Sequence, residues 1–591
     1  MWNLDPSNLI WTMPAQEDRS SLRPAPAGGS IAWGRMGRAV GRRWPVLGVA
    51  LVLGFLGLAF YYPLAVVLRD GVWEGGRLTF GPLRAVLADP YYLRILGFTA
   101  TQALLSTLLA LALGVPGAYL LARYDFPGRR LLRSLSIVPF VLPAITVALG
   151  FVLFFGQSGH VNRLLMNLFG LPRPPLRILY SLSGIVLAHA FYNAPIVTRL
   201  VAAGWEGIDP SAEEAAASLG ARPLRRFVSI ILPLLSPSLL GSAALVFALT
   251  FLSFPIVLVL GGARFATIEV EIYTLMRTLL DYPAGSALIL VQTLLSLGVL
   301  YLFLRAEGGL AVVARGERSV RARPLFTRDG WTGKAFLLAY VGLVGVLFCG
   351  PLLSVLVDSF RVGGRFTVAS YRDLLGLGYS PFLGASPWRA VQNSLFLGAI
   401  STAMALPLGL LIASFGVRGR MPGRKGLEAL LLAPLAVSSV AVGAAILRGL
   451  GREPLHLAGT LASIALAHAL LSYPFVVRTV RPGLAGLDPA WVEAARSLGA
   501  SRGRAFRDIE LPLIVPSLLA AAAFAFALSV GETSATAMLA RPGTETMPLA
   551  VWRLLSARQF GPASAMAGVL IGVSFLSFLA IDGLGRKGKG G

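Results

Sequence analysis

Residues 187–201 read LAHAFYNAPIVTRLV, and residues 466–480 read LAHALLSYPFVVRTV. His189 pairs with His468, Pro195 with Pro474 and Arg199 with Arg478, each 279 positions apart. The register continues downstream without a gap. Asp209-Pro210 meets Asp488-Pro489, Glu214-Ala215-Ala216 meets Glu493-Ala494-Ala495, and Gly220 meets Gly499. Ile230, Leu232 and Pro233 then meet Ile509, Leu511 and Pro512, and Pro237-Ser238-Leu239-Leu240 meets Pro516-Ser517-Leu518-Leu519. The chain is therefore duplicated along its length.

What is duplicated follows from composition. Of 591 residues, 55% are apolar and only 14% charged, against about 25% charged in soluble domains. So few charges cannot cover a water-facing surface, and most of the chain must face lipid. Apolar runs long enough to span a bilayer fall near 45–68, 96–122, 134–155, 180–202, 236–258 and 285–304. A second set falls near 335–357, 393–415, 427–447, 457–480, 513–537 and 562–582. The expected fold is an all-α polytopic membrane protein of about twelve transmembrane helices. An even count per copy makes the two six-helix repeats tandem and parallel, related by a pseudo-two-fold along the membrane normal.

Lys and Arg outnumber Asp and Glu by 52 to 28, a net charge of +24. In this setting the excess marks loops on the cytoplasmic side rather than nucleic-acid binding. Every second loop is basic: Arg123, Arg129, Arg130 and Arg133 after the second span, Arg222, Arg225 and Arg226 after the fourth, and Arg496, Arg502, Arg504 and Arg507 after the tenth. The rule places these loops and both termini in the cytoplasm. The single cysteine, Cys349, excludes an internal disulfide framework. The expected layout is a disordered tail over 1–34, a first half over 35–304, a cytoplasmic linker over 305–334, a second half over 335–582 and a basic tail over 583–591. Met36, just ahead of the first span, is an alternative start to Met1.

Each copy carries a polar loop between its fourth and fifth spans, over 203–233 and 482–512. Asp209 suits an N-cap and Pro210 the first helical position. Glu213 and Glu214 lie near the positive end of that helix. Ala215, Ala216 and Ala217 leave it smooth, and Gly220 suits the left-handed residue that stops it. Copy two repeats the plan with Asp488, Pro489, Glu493, Ala494, Ala495 and Gly499. A short helix with small side chains suits a groove on another protein; the plainer reading is a solvated surface helix, which the repeated E-A-A-x3-G-x9-I-x-L-P spacing disfavours.

That duplicated motif resembles the EAA loop of permease subunits of binding-protein-dependent ABC importers, the MetI-like superfamily. The fused form, with LAHA…P…R ahead of the loop, resembles the ferric-iron and thiamine permeases from about 45 to 582. The resemblance implies a bacterial cytoplasmic-membrane subunit with no cofactor and no ATPase chemistry of its own. Two copies of an ABC ATPase, carrying ATP-Mg, would dock on the two loops through Glu214, Ala215, Ala216, Gly220, Glu493, Ala494, Ala495 and Gly499. An extracytoplasmic binding protein would deliver the solute. The sequence contains no G-x4-G-K-[ST] phosphate loop, in keeping with a chain that is not itself an enzyme.

Intramembrane polar residues point to a solute path. Glu532, in Gly531-Glu532-Thr533-Ser534 late in the eleventh span, is placed to meet a cation at the outer mouth, or else is simply wet. Asn193, Tyr473 and Gln292 line a polar path or bond between helices. His189 and His468 read as packing residues rather than metal ligands. The solute favoured is ferric iron, with thiamine second. A twelve-helix secondary transporter is the competing reading, set against the paired loops and the scarcity of buried carboxylates and lysines. Four scattered histidines give a membrane enzyme no cluster to work with.

Overall fold

The computed structural model describes residues 48–587 apart from 75, 130–131, 134–141, 263, 314–322, 325–330, 419–422 and 454. The tail expected over 1–34 lies outside the described residues, as do 314–322 and 325–330 of the linker. Among the described residues, eleven helical stretches are long and apolar enough to cross a membrane, and Ser439–Gly449 is apolar but shorter. With no water in the hydrocarbon to satisfy backbone groups, such runs close their hydrogen bonds within helices. Strands are confined to two-residue pairs.

The first half runs α1 (Gly48–Asp70), α2 (Pro90–Arg123), α3 (Ala144–Phe155), α4 (His160–Phe169), α5 (Leu182–Glu206), α6 (Pro210–Ser218), α7 (Pro223–Phe251), α8 (Pro255–Leu260), α9 (Ile268–Tyr273) and α10 (Tyr282–Val313). The second runs α11 (Trp331–Ser359), α12 (Pro387–Arg418), α13 (Ser439–Gly449), α14 (Leu461–Ala485), α15 (Pro489–Ser497), α16 (Arg502–Gly531), α17 (Ser534–Leu539), α18 (Met547–Ser556) and α19 (Phe560–Lys587). Each half pairs its second and fourth spans most extensively, α2 on α5 and α12 on α14.

Several expected spans are interrupted. The run over 427–447 breaks after Leu431 and restarts at Ser439. Pro434 has no N–H for a helical ladder, and the Ser438 hydroxyl caps the new helix by accepting from the Ala441 N–H. The runs over 236–258 and 513–537 stop at Phe251 and Gly531 and restart as α8 and α17. Pro255 favours a fresh helix start, and the Glu532 carboxylate accepts from the Ala535 N–H at 3.0 Å. At the linker, α10 runs past 304 to Val313 and α11 begins at Trp331; α19 continues past 582 to Lys587.

The register of the duplication also changes ahead of the fourth spans. Gly114 packs on Val197 and Gly409 on Val476, yet the two glycines are 295 positions apart rather than 279. The extra residues in the first half include α4, whose Leu164, Leu168 and Phe169 are exposed.

The first span of each half crosses to the other. The later part of α1 packs along α13, and α11 packs along α3. The fit depends on glycine. A Cβ on Gly449 of α13 would lie 2.5 Å from the Pro63 Cα of α1, and one on Gly150 of α3 would lie 2.7 Å from the Pro351 carbonyl oxygen of α11. Polar ties close both exchanges: Arg448 donates to Asp70 at 2.6 Å, and His160 meets Asp358 at 3.2 Å.

Candidate functional site

The two EAA segments fold alike. Asp209 caps α6 by accepting from the Ser211 N–H, and Asp488 caps α15 by accepting from the Ala490 N–H, both at 2.9 Å. Proline at the first helical position follows each cap, where its missing N–H costs nothing. At the far end the Gly220 N–H donates to the Ala217 carbonyl and the Ala221 N–H to the Ala216 carbonyl, both at 3.0 Å. In the second half the Gly499 N–H donates to Arg496 and the Ala500 N–H to Ala495, at 3.1 and 3.0 Å. This is the Schellman arrangement. It needs a left-handed residue after the cap, and Gly220 and Gly499 supply it with φ of +77° and +89°. Ala216 and Ala495 thus contribute carbonyls to the stop as well as small side chains.

Neither α6 nor α15 buries any residue. Glu214, Ala215, Glu493 and Ala494 are exposed. Immediately before each glycine stands a leucine that the spacing argument passed over. Leu219 is 88% exposed and Leu498 90% exposed. The same apolar side chain is thus exposed at one topological position in both copies. Its sequence signal was available in the repeated Ser-Leu-Gly at 218–220 and 497–499. Two further segments mirror each other. Single π-helical stretches, Phe227–Ile231 and Phe506–Glu510, lie just inside the spans that follow, and from Pro223 and Arg502 onward α7 and α16 each run as an unbroken helical rod, separated from the short helix by the glycine turn.

The halves differ in how the short helix is held. Glu213 on α6 accepts from Arg123 at the end of α2. Its counterpart on α15 is Val492, which has no charge to offer.

The residues expected along a solute path separate on inspection. Tyr473 is fully buried, and its hydroxyl donates to the Leu431 carbonyl at 2.6 Å. Asn193 is buried and its amide donates to the His189 carbonyl one turn back, at 2.8 Å. The Tyr473 bond ties α14 to the segment ending at Leu431, whereas the Asn193 bond stays within α5 and leaves its buried Oδ1 without a partner. His189 bonds Ser253 at 2.8 Å, and His468 bonds Ser529 and Thr536, each at 2.8 Å. These are packing histidines bonded to hydroxyls.

Glu532 is placed differently from the expectation: it sits in the break between α16 and α17, not inside a span. Glu269 of α9, buried and bonded by Gln292, lies near enough to Glu532 for the two charges to interact. Ser438 and Ser439, at the start of α13, lie against Glu269 and Glu532 respectively. The two carboxylates come from different halves and converge on one helix start. Glu269 was visible in the sequence, in Ala266-Thr267-Ile268-Glu269, but nothing in the linear pattern connects it with position 532.

The family described as the inner membrane component of binding-protein-dependent transport systems matches residues 114–306 and 405–589, once in each half. The chain belongs to this family. It is a multi-pass membrane permease built from two tandem copies of one unit, and the secondary-transporter alternative is set aside. Among its relatives, a protein named ferric transport system permease protein FbpB from Actinobacillus pleuropneumoniae is 28% identical over 551 residues, covering 90% of this permease and 78% of that protein. A thiamine transport system permease protein ThiP from Brucella abortus is 30% identical over 540 residues, covering 90% and 94%. Escherichia coli ThiP is 27% identical over 516 residues, covering 85% and 91%.

Proposed function

We propose that this permease forms the path for a cationic solute delivered by an extracytoplasmic binding protein, and that two copies of an ABC ATPase drive it through α6 and α15. The observation carrying the reading is the pair of unburied, identically capped helices, each with an exposed leucine beside its glycine. In this reading the basic loops and both termini lie in the cytoplasm of a bacterium, and ATP and Mg are bound by the partners. When ATP draws the ATPase subunits together, each pulls its docked helix, and α7 or α16 follows as a continuous rod. The halves then exchange between inward-open and outward-open as a two-state, rigid-body change. ATP biases that equilibrium only through contacts that differ between the states, so the docked helices transmit it.

The cation preference rests on Glu532 and Glu269. Two carboxylates brought together from opposite halves repel each other, and a positive charge between them relieves that repulsion. Ferric iron and thiamine both carry positive charge. Ferric iron is the solute we favour, with thiamine second. The test is uptake by proteoliposomes holding the permease, its ATPase and its binding protein, supplied in parallel with ferric iron and thiamine. ATP-dependent accumulation of either supports a cation permease and names the solute. Accumulation of an oxyanion instead, with neither cation moved, refutes the assignment.

A further inference from the structure

A cavity of about 420 Å³ opens at the basic end of the first half, where α2, α5 and α7 end or begin beside α6. Its lining includes Tyr119, Arg123, Trp205, Glu213, Arg226 and Phe227. The rings form one wall, with centroids 5.3 Å apart for Tyr119 and Trp205 and 6.3 Å apart for Trp205 and Phe227. Two donors in this lining have no acceptor. Trp205 is only 3% exposed and its indole N–H is unbonded, and the buried Nε–H of Arg226 is likewise unbonded. A buried donor left unpaired is costly, and neither group can act as an acceptor. Whatever satisfies both must bring acceptor atoms.

The charge balance makes that acceptor an anion. Glu213 is paired with Arg123, while among the described residues no carboxylate pairs with Arg226. The duplication supplies an internal control. In the second half the positions of Tyr119, Trp205, Glu213 and Arg226 are held by Ser414, Leu484, Val492 and Ala505. Two of the three wall rings, the indole donor and the Arg226 guanidinium are missing there, while Phe506 keeps the position of Phe227. The cavity is thus a feature of one half, not a consequence of the shared fold. Its mouth is shared with Phe336 of α11, which is 44% exposed on a spanning helix, so the lining is apolar toward the membrane and cationic toward the basic end.

We propose that this cavity seats the phosphate group of a phosphate ester on Trp205 and Arg226, beside the first coupling helix. Phosphate offers several acceptor oxygens to the indole and guanidinium, and arginine suits it through planar, charge-assisted bonds. Occupancy bridges the end of α5 to the start of α7, next to the α6 helix that Arg123 already holds. The ester comes either from a phospholipid headgroup or from a soluble phosphorylated metabolite.

The experiment uses the full chain purified from membranes in mild detergent. Native mass spectrometry reads retained phospholipid in the parent, Trp205→Phe, Arg226→Gln and, as the pseudo-symmetric control, Leu484→Phe. Thermal unfolding checks that all four are folded. In parallel, each delipidated protein is titrated calorimetrically with glycerol 3-phosphate. Loss of a charged hydrogen bond weakens occupancy by roughly tenfold or more. One retained anionic phospholipid, depleted in Trp205→Phe and Arg226→Gln but not in Leu484→Phe, supports the site with lipid as its source. Glycerol 3-phosphate binding that weakens in the same two variants, without retained lipid, supports it with a soluble ester as source. Neither lipid nor glycerol 3-phosphate binding in the parent, or equal occupancy in all four proteins, overturns it.

Discussion

Replacing Gly220 and Gly499 together by valine isolates the geometry of α6 and α15, the helices proposed to couple to the ATPase. At neither position would a Cβ meet any atom within 4 Å, so the substitution brings no clash. What it brings is conformational. With φ at +77° and +89°, a side-chain-bearing residue pays about 1–2 kcal/mol for the left-handed region, and a β-branched one pays at the upper end. The cheapest escape is to open the Schellman turn, which frees the Ala216 and Ala495 carbonyls and swings Leu219 and Leu498 away from their positions. The helices belong to different halves, so the two penalties add. The total of about 2–4 kcal/mol corresponds to roughly 30- to 900-fold in affinity for the ATPase. Asparagine visits the left-handed region more readily, so the double asparagine variant lies between the parent and valine. The assay is co-purification of the ATPase with the permease, followed by stimulation of ATP hydrolysis by loaded binding protein in proteoliposomes. Membrane insertion of the permease is unchanged. If the valine double variant binds and stimulates the ATPase as well as the parent does, α6 and α15 are not the coupling elements.

Leu219→Asp and Leu498→Asp each lose the burial of one leucine, about 1.5–3 kcal/mol of docking, while the isolated permease melts at its normal temperature; pull-down of the ATPase by each variant checks this. Glu532→Gln keeps the acceptor that caps α17 but removes a charge, so uptake falls while assembly and basal ATP hydrolysis persist; equal uptake in variant and parent removes Glu532 from the path. Gly449→Val wedges α1 off α13, where backbone lies 2.5 Å from the new Cβ, and lowers stability by about 1–3 kcal/mol, read as a drop in melting temperature in detergent. A reporter fused at residue 320 is active only on the cytoplasmic side, as its basic neighbours require.

The duplication, the span count and the two short capped helices were legible because each rests on local pattern. Asp209, Pro210 and Gly220 specify a helix start and stop within a dozen residues, and the structure forms it at the same places. The interruptions at Ser438 and Glu532 were hidden because an apolar run reads as one span whether or not a hydroxyl or carboxylate caps a new helix inside it. Tyr473 and Asn193 were legible as polar residues within spans, because polarity in a span is visible in sequence while its direction is not. Only the structure shows the Tyr473 hydroxyl bonded across to Leu431 and the Asn193 amide bonded within its own helix to His189. Glu269 escaped for the opposite reason: its meaning comes from Glu532 in the other half. Leu219 and Leu498 escaped because a leucine beside a glycine resembles any other core residue until its exposure is known.

The exchange of first spans has a temporal cost during synthesis. Asp70, at the end of α1, finds its partner in Arg448, 378 residues later. At about 5–20 residues per second, α1 waits roughly 20–75 s in the bilayer before α13 exists to receive it. Throughout that interval its Pro63 face has only lipid or the insertion machinery to rest on. A ribosome stalled in the second half therefore leaves a first half whose opening helix packs on α10 but lacks its partner across the halves. Such a fragment offers quality-control proteases an unclasped helix, and the permease is recognisable as finished only once both clasps have closed.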